Sequence, residues 1–235
     1  MRVVISAPRK SGAPQLRCLI AMAYELKSPP VSAPDQVDKD SLTTWMARLP
    51  KQSVATCDLS LELLSDPGAV ADVRLIGIIR HPFDLFVSNY DVAQQQAARG
   101  RGDGEEERIC LPLQGEELDS EAARRYAVTG FGAEVNALQA WASGGTYVRY
   151  EDLFADPSVV LRSLGSTLGP LSTEQVDHAI RLCPSENVVA SRPGRGRRMP
   201  ALPPGGWRNR LPASLTDTLR TTFREEVAHL GYDAS

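Results

Sequence analysis

Hydrophobic and polar positions along this chain fall into short segments that alternate between two periods. Val3, Val4 and Ile5 sit in a β-branched run bounded by Pro8 and Gly12, the pattern of a buried strand. From Pro14 to Leu26 the apolar positions Leu16, Leu19, Ile20, Ala23 and Leu26 recur at helical steps, which predicts a helix. Pro14 suits its first position, where a missing N–H costs nothing. The N-terminus therefore reads as strand, basic glycine-containing loop and helix, closed by the Pro-rich piece from Ser28 to Pro34. Ser53 to Cys57 predicts a second strand. Arg74 to Ile79 predicts a stronger one, nearly continuous in Leu75, Ile76, Ile78 and Ile79, as in a strand covered on both faces. His81-Pro82 ends it, and Phe83, Phe86, Val87 and Tyr90 form a helical stripe.

Residues 94–120, from Gln94 to Ser120, are rich in Gly, Arg, Glu and Gln and read as a mobile surface loop, of a length that marks a lid or binding segment. A helix is predicted from Ser120 to Trp141, kinked near Gly130–Gly132, followed by a strand over Thr146 to Arg149. Asp156-Pro157 offers an N-cap and first-turn proline for a helix ending at Gly169, and Ser172 with Gln175 forms a capping-box pattern for the next. Residues 191–210, Ser191 to Arg210, carry six arginines among Pro and Gly, an irregular basic loop. An amphipathic helix from Ser214 to about His229 closes the chain before Gly231. Strands alternating with helices predict one α/β domain over residues 1–235. Its core is a P-loop-like central parallel sheet flanked by helices on both faces, with the binding crevice at the carboxyl ends of the strands.

Composition narrows the classes. Hydrophobic content of 42% and charged content of 23% are those of an ordinary globular protein, and 235 residues suffice for one core. A formal net charge of −3 argues against bulk electrostatic binding to nucleic acid or an anionic membrane, while leaving room for a local basic pocket. No apolar run approaches the ~20 residues of a membrane span, and Val3 to Ile5 meets Pro8 too soon for a signal peptide. A cytoplasmic protein is expected. Cys18, Cys57, Cys110 and Cys183 are scattered, without a CxxC pair or a histidine cluster. Neither a zinc site nor a disulfide framework is expected, and Cys18 and Cys57 read as small buried hydrophobes.

Two places carry candidate chemistry. Pro8-Arg9-Lys10-Ser11-Gly12 follows the first strand and opens a helix, an arrangement that presents backbone N–H groups to an anion with Lys10 as a mobile charge beside them. It lacks the two-glycine spacing and GK[ST] ending of a Walker A loop, and an ordinary polar turn fits the same residues. Arg80 follows the buried strand directly, and Ser88 lies eight residues on along the next helix. A guanidinium and a hydroxyl so placed can clamp one phosphate from two sides. The competing reading pairs Arg80 with Asp84 and leaves Ser88 an unremarkable helix serine.

Taken together these segments resemble the sulfotransferases that use 3′-phosphoadenosine 5′-phosphosulfate. The family's first signature, PKSGTTWL, is similar to Lys10-Ser11-Gly12-Ala13-Pro14-Gln15-Leu16, and its second, RNPxDxxVSYY, to Arg80-His81-Pro82-Phe83-Asp84-Leu85-Phe86-Val87-Ser88-Asn89-Tyr90. A strand leading into YEDL and then DP matches Arg149-Tyr150-Glu151-Asp152-Leu153 with Asp156-Pro157, and a late GDWKN resembles Gly205-Gly206-Trp207-Arg208-Asn209. The second element is highly specific, the first degenerate, and all run in family order along nearly the whole chain. The resemblance implies a cofactor loop of Arg9, Lys10, Ser11, Gly12 and Ala13, with Lys10 catalytic, contacting the 5′-phosphosulfate. It implies that Arg80 and Ser88 hold the 3′-phosphate, that Tyr150 contacts the adenine, and that Arg195, Arg197 and Arg198 supply late basic contacts. For those arginines a solvated surface loop is the alternative. No metal is implied, because Lys10 and the loop donors provide the positive field, and the partner implied is a small-molecule acceptor.

The chain departs from that pattern in two respects. Ala13 and Pro14 replace the family's two threonines, so a hydroxyl pair and one backbone N–H are missing from the loop. The usual histidine base is also absent. An ungapped count back from Arg80 reaches Asp58, and a one-residue shift reaches Cys57. A buried carboxylate with a raised pKa can act as general base, so Asp58 is the candidate, with Glu62 behind it. Asp58 serves equally well as the N-cap of a short helix through Leu59–Leu64. The expected activity is transfer of a sulfuryl group to a hydroxyl or amine of a small molecule, a natural product or glycolipid. The alternative is a catalytically impaired nucleotide-binding or interaction module on the same fold.

Overall fold

A computed structural model describes residues 1–8, 10–29, 39–57, 72–98, 112–183 and 202–233. By internal contacts these fall into two compact units, one of residues 1–79 and 140–201, the other of residues 80–139 and 202–235.

The first unit is built on a sheet of order β2-β1-β3-β4, formed by β1 (Arg2–Ser6), β2 (Ser53–Cys57), β3 (Val73–Ile79) and β4 (Tyr147–Arg149). Every pairing is parallel, with Ile5 opposite Thr56 and Ile76, so the carboxyl ends share one edge of the sheet. This is the α/β architecture expected from alternating periods. Period two puts Val3, Ile5, Val54, Ile76, Ile78 and Val148 on one face, where they join Leu16, Leu19 and Ile20 of α1 (Ala13–Ala23) in a single core. The same core takes in Leu153 of α6 (Tyr150–Ala155), Leu161 of α7 (Pro157–Ser163) and Val176 of α9 (Thr173–Leu182). On the opposite face Trp141, from α5 (Gly132–Gly144), lies on Gly77. A Cβ at Gly77 would come within 2.6 Å of the indole, which is why that strand position is glycine.

Several boundaries differ from the sequence reading. The first helix ends at Ala23 rather than Leu26, because Glu25 turns the backbone left-handed (φ 53°) and brings Lys27 alongside Ser53. An unanticipated helix, α2 (Lys39–Arg48), buries Leu42, Trp45 and Met46. The helix read as ending at Gly169 does have Asp156 as its cap, accepting from Ser158 N, but it breaks at Leu164 before α8 (Gly165–Leu168). The capping box of Ser172 and Gln175 forms as read.

One expectation is overturned. Cys18 and Cys183 are joined in a disulfide, with Cα atoms 5.8 Å apart. They lie 165 residues apart in sequence and meet because α9 packs on α1, which no spacing rule can register. The cysteines therefore lend no support to a cytoplasmic location, since such bridges persist mainly in oxidising surroundings. Among the described residues no helix is long and apolar enough to cross a membrane.

The second unit begins at Arg80 and has an aromatic core. The helix α3 (Pro82–Ala98) contributes Phe83 and Phe86, α4 (Glu121–Thr129) contributes Tyr126, and Phe131 packs edge-on against both Phe86 and Phe223. The predicted helix over Ser120 to Trp141 is two helices parted at Gly130, where a Cβ would strike the Tyr126 ring. The segment read as a loop from Gln94 begins as helix, because α3 continues to Ala98, and the Gln94 amide donates to the carbonyls of Leu113 and Glu116. Within the segment read as a basic loop, Gly206–Asn209 forms a 3-10 turn with Trp207 buried. The C-terminal helix is split at Phe223 into α10 (Ala213–Thr222) and α11 (Arg224–His229), and Gly231 (φ 70°) stops it as read.

Candidate functional site

In the first unit β1 ends at the carboxyl edge of the sheet, and α1 opens at Gly12. Gly12 is the N-cap, left-handed at φ 81° and ψ 12°, and no side chain caps the helix. A helix start without a side-chain cap is the kind of place where backbone N–H groups can take an anion. Pro14 sits in that first turn and subtracts one donor. Lys10 is itself left-handed at φ 61°, a strained state for a residue with a Cβ. The Ser11 hydroxyl is buried without a hydrogen-bond partner. A buried, unsatisfied hydroxyl is costly, and a phosphate or sulfate oxygen is the kind of group that would satisfy it.

Tyr150 starts α6 directly after β4 and is buried. Its ring lies against Gly12, where an added Cβ would come within 3.2 Å of it. Lys10, Ser11, Gly12, Ala13 and Tyr150 thus gather at one edge of the first unit. Arg9, the proposed base Asp58 with Glu62 behind it, and the late Arg195, Arg197 and Arg198 lie outside the described residues.

In the second unit Arg80 is fully buried. Its Nη1 donates to Ser88 Oγ at 2.9 Å, and its Nη2 donates to the Leu202 carbonyl at 2.7 Å. Eight residues bring the two together because α3 starts at Pro82 and returns Ser88 to the side facing its own N-terminus. The competing pairing of Arg80 with Asp84 is not what forms. The fully buried carboxylate of Asp84 accepts from Gly205 N at 2.7 Å and from Trp207 N at 2.9 Å. Sequence reasoning missed this latch. Its only local signal was an acidic residue in the first turn of a helix, which the helix dipole explains without any distant partner.

His81 was not singled out either. Its Nδ1 accepts from Phe83 N at 3.1 Å, capping α3, so the ring proton belongs on Nε2, which lies 3.1 Å from the Asp233 carbonyl. Its ring stacks on Trp207, over which the Arg208 guanidinium also sits, 4.4 Å from the ring centroid. Among the described residues no group of three or more His, Cys, Asp or Glu is placed to hold a metal ion.

No family model and no curated protein matches the sequence. Solved structures do. A mouse sulfotransferase, SULT7A1, complexed with PAP superposes with a TM-score of 0.69 at 16% identity, covering 96% of this chain and 84% of that one. The fold is that of the sulfotransferases. A retinol dehydratase in complex with androsterone and inactive cofactor PAP matches at a TM-score of 0.56 and 14% identity, with 96% and 80% of the two chains covered. A putative steroid sulphotransferase of Arabidopsis thaliana matches at 0.50 and 18%, over 96% and 77%. At these identities the likeness establishes architecture. Chemistry depends on the site's own residues.

Proposed function

We propose that this chain moves a sulfuryl group from 3′-phosphoadenosine 5′-phosphosulfate to a hydroxyl or amine of a small-molecule acceptor. The observation that carries the reading is the buried Arg80–Ser88 pair, 2.9 Å apart at the start of α3. A guanidinium and a hydroxyl already in register form a two-sided clamp for one phosphate, here the 3′-phosphate. The solved neighbours that hold PAP, the 3′-phosphoadenosine 5′-phosphate product of such a reaction, agree with it.

Within this reading the left-handed Lys10, the orphaned Ser11 hydroxyl and the first-turn donors of α1 take the 5′-phosphosulfate. The nucleotide supplies the activated sulfuryl group. Lys10 balances the charge that grows on the bridging oxygen, and positioning with charge stabilisation supplies most of the acceleration, as in phosphoryl transfer. Asp58 receives the acceptor's proton. Tyr150, packed on the loop, borders the adenine, and Arg9, Arg195, Arg197 and Arg198 add positive charge. No metal is needed.

A second reading, a nucleotide-binding module without turnover, is favoured by one observation. Pro14 occupies the first turn of α1, where the family pattern has a threonine with a free N–H. Calorimetric titration of PAP into the wild type and Arg80→Ala tests the cofactor assignment. Binding by the wild type and its loss in the variant are expected, and equal binding by both would refute it. Turnover of an acceptor panel by the wild type, Lys10→Ala and Asp58→Asn then separates enzyme from module.

A further inference from the structure

An aspartate in the first turn of a helix ordinarily needs no explanation beyond the dipole. Asp84 is different, because both oxygens leave its own helix for backbone N–H groups more than a hundred residues away, at Gly205 and Trp207. A carboxylate can accept at both oxygens, whereas an amide or a hydroxyl in its place offers one oxygen to two N–H groups. The start of the same turn is held from the other side, where Arg80 Nη2 donates to Leu202 O. Arg80, Leu202, Gly205–Trp207 and Asp84 thus close a ring that returns through the first turn of α3. Asp84 and Ser88 are four residues apart and share a face of that helix. One arm of the Arg80 guanidinium is set by Ser88, and the other by a carbonyl whose position depends on the turn that Asp84 holds.

We propose that Asp84 is a positioning residue of the Arg80 site. By latching the Gly205–Trp207 turn it keeps the Leu202 carbonyl on the guanidinium, so that discrimination for a 3′-phosphate depends on a residue that need not touch the nucleotide. The inference rests on the nucleotide reading above.

The test compares the affinities of PAP and of adenosine 5′-phosphate, which lacks the 3′-phosphate, for the wild type, Asp84→Ala and Asp84→Asn, with thermal melts alongside. The wild type should prefer PAP. Asp84→Ala should lose about tenfold or more of that preference while its affinity for adenosine 5′-phosphate holds. Asp84→Asn, which keeps one acceptor oxygen, should fall between. A lowered melting temperature with the preference intact would reduce Asp84 to a structural staple and overturn the proposal. Should Asp84→Ala fail to fold, Asp84→Asn carries the same comparison, and a wild-type preference in it is the refuting result. A wild type that binds both nucleotides equally refutes the nucleotide reading itself, an outcome distinct from the failure of Asp84 alone.

Discussion

Lys10 holds a left-handed backbone at φ 61° two residues before the left-handed cap Gly12, and this strain can be separated from the side chain's charge. Two substitutions remove the ammonium equally. Lys10→Ala keeps a Cβ and with it a conformational cost of about 1–2 kcal/mol, whereas Lys10→Gly relieves that cost. The glycine gives back about 0.5–1 kcal/mol through the greater freedom of its unfolded chain. The glycine variant should therefore be the more stable of the two by about 0.5–1 kcal/mol, or roughly 2 °C in melting temperature for a chain of this size. Contacts of the Lys10 side chain are lost in both and cancel. On the proposed reading, turnover should fall alike in both, by about 100- to 1,000-fold, the usual cost of removing one group that stabilises charge in the transition state. The assay is a paired melt and a paired rate measurement. Equal or greater stability of Lys10→Ala would refute the strained-loop argument, and near-wild-type turnover of Lys10→Gly would refute the role of the charge.

Gly77→Ala should destabilise the first unit by about 1–3 kcal/mol in denaturant titration, because its Cβ would overlap the Trp141 ring, and Trp141→Leu should recover part of the loss. Reducing the Cys18–Cys183 bridge, or replacing both cysteines with serine, should cost up to about 5 kcal/mol for a loop of this length. An unfolding midpoint indifferent to reductant would contradict that. Burial raises the pKa of Tyr24 above 10.0, and its hydroxyl donates to the Gly169 carbonyl. The protonated phenol is the form that folding favours, so its contribution is complete below the unfolded pKa and is lost as pH rises through the folded one. Stability of the wild type should thus fall more steeply than that of Tyr24→Phe above pH 10, and parallel curves would remove the effect.

Much of the local structure was legible because it depends on near neighbours. The β-branched run at Arg2–Ser6 and the nearly continuous apolar run read at Arg74–Ile79, which starts one residue earlier at Val73, both form strands, and the Ser172 capping box and the stop at Gly231 are in place. The helix at Lys39–Arg48 was legible in principle, since Leu42, Trp45, Met46 and Leu49 recur at helical steps, but a Pro-rich approach masked it. Arg80 and Ser88, read as two sides of one site, meet because a strand end followed by one helix leaves a short segment few ways to fold back.

The alternative pairing of Arg80 with Asp84 does not form, for the complementary reason. At four residues' spacing Asp84 can reach Arg80, and nothing nearby says that two backbone N–H groups from residues 205–207 will arrive first.

The sequence alone determined the succession of the four strands along the chain, the basic loop between β1 and α1, and the nearness of Arg80 to Ser88. Periodicity, capping and chain stiffness act over a few residues and are written into them. Tertiary structure decided which groups those residues face. It joined Cys18 to Cys183, laid Trp141 on Gly77, and turned Asp84 away from Arg80 toward the Gly205–Trp207 turn. Such pairings depend on which distant segments the packed cores bring together, and a side chain's own identity carries its capacity to bond without naming its partner.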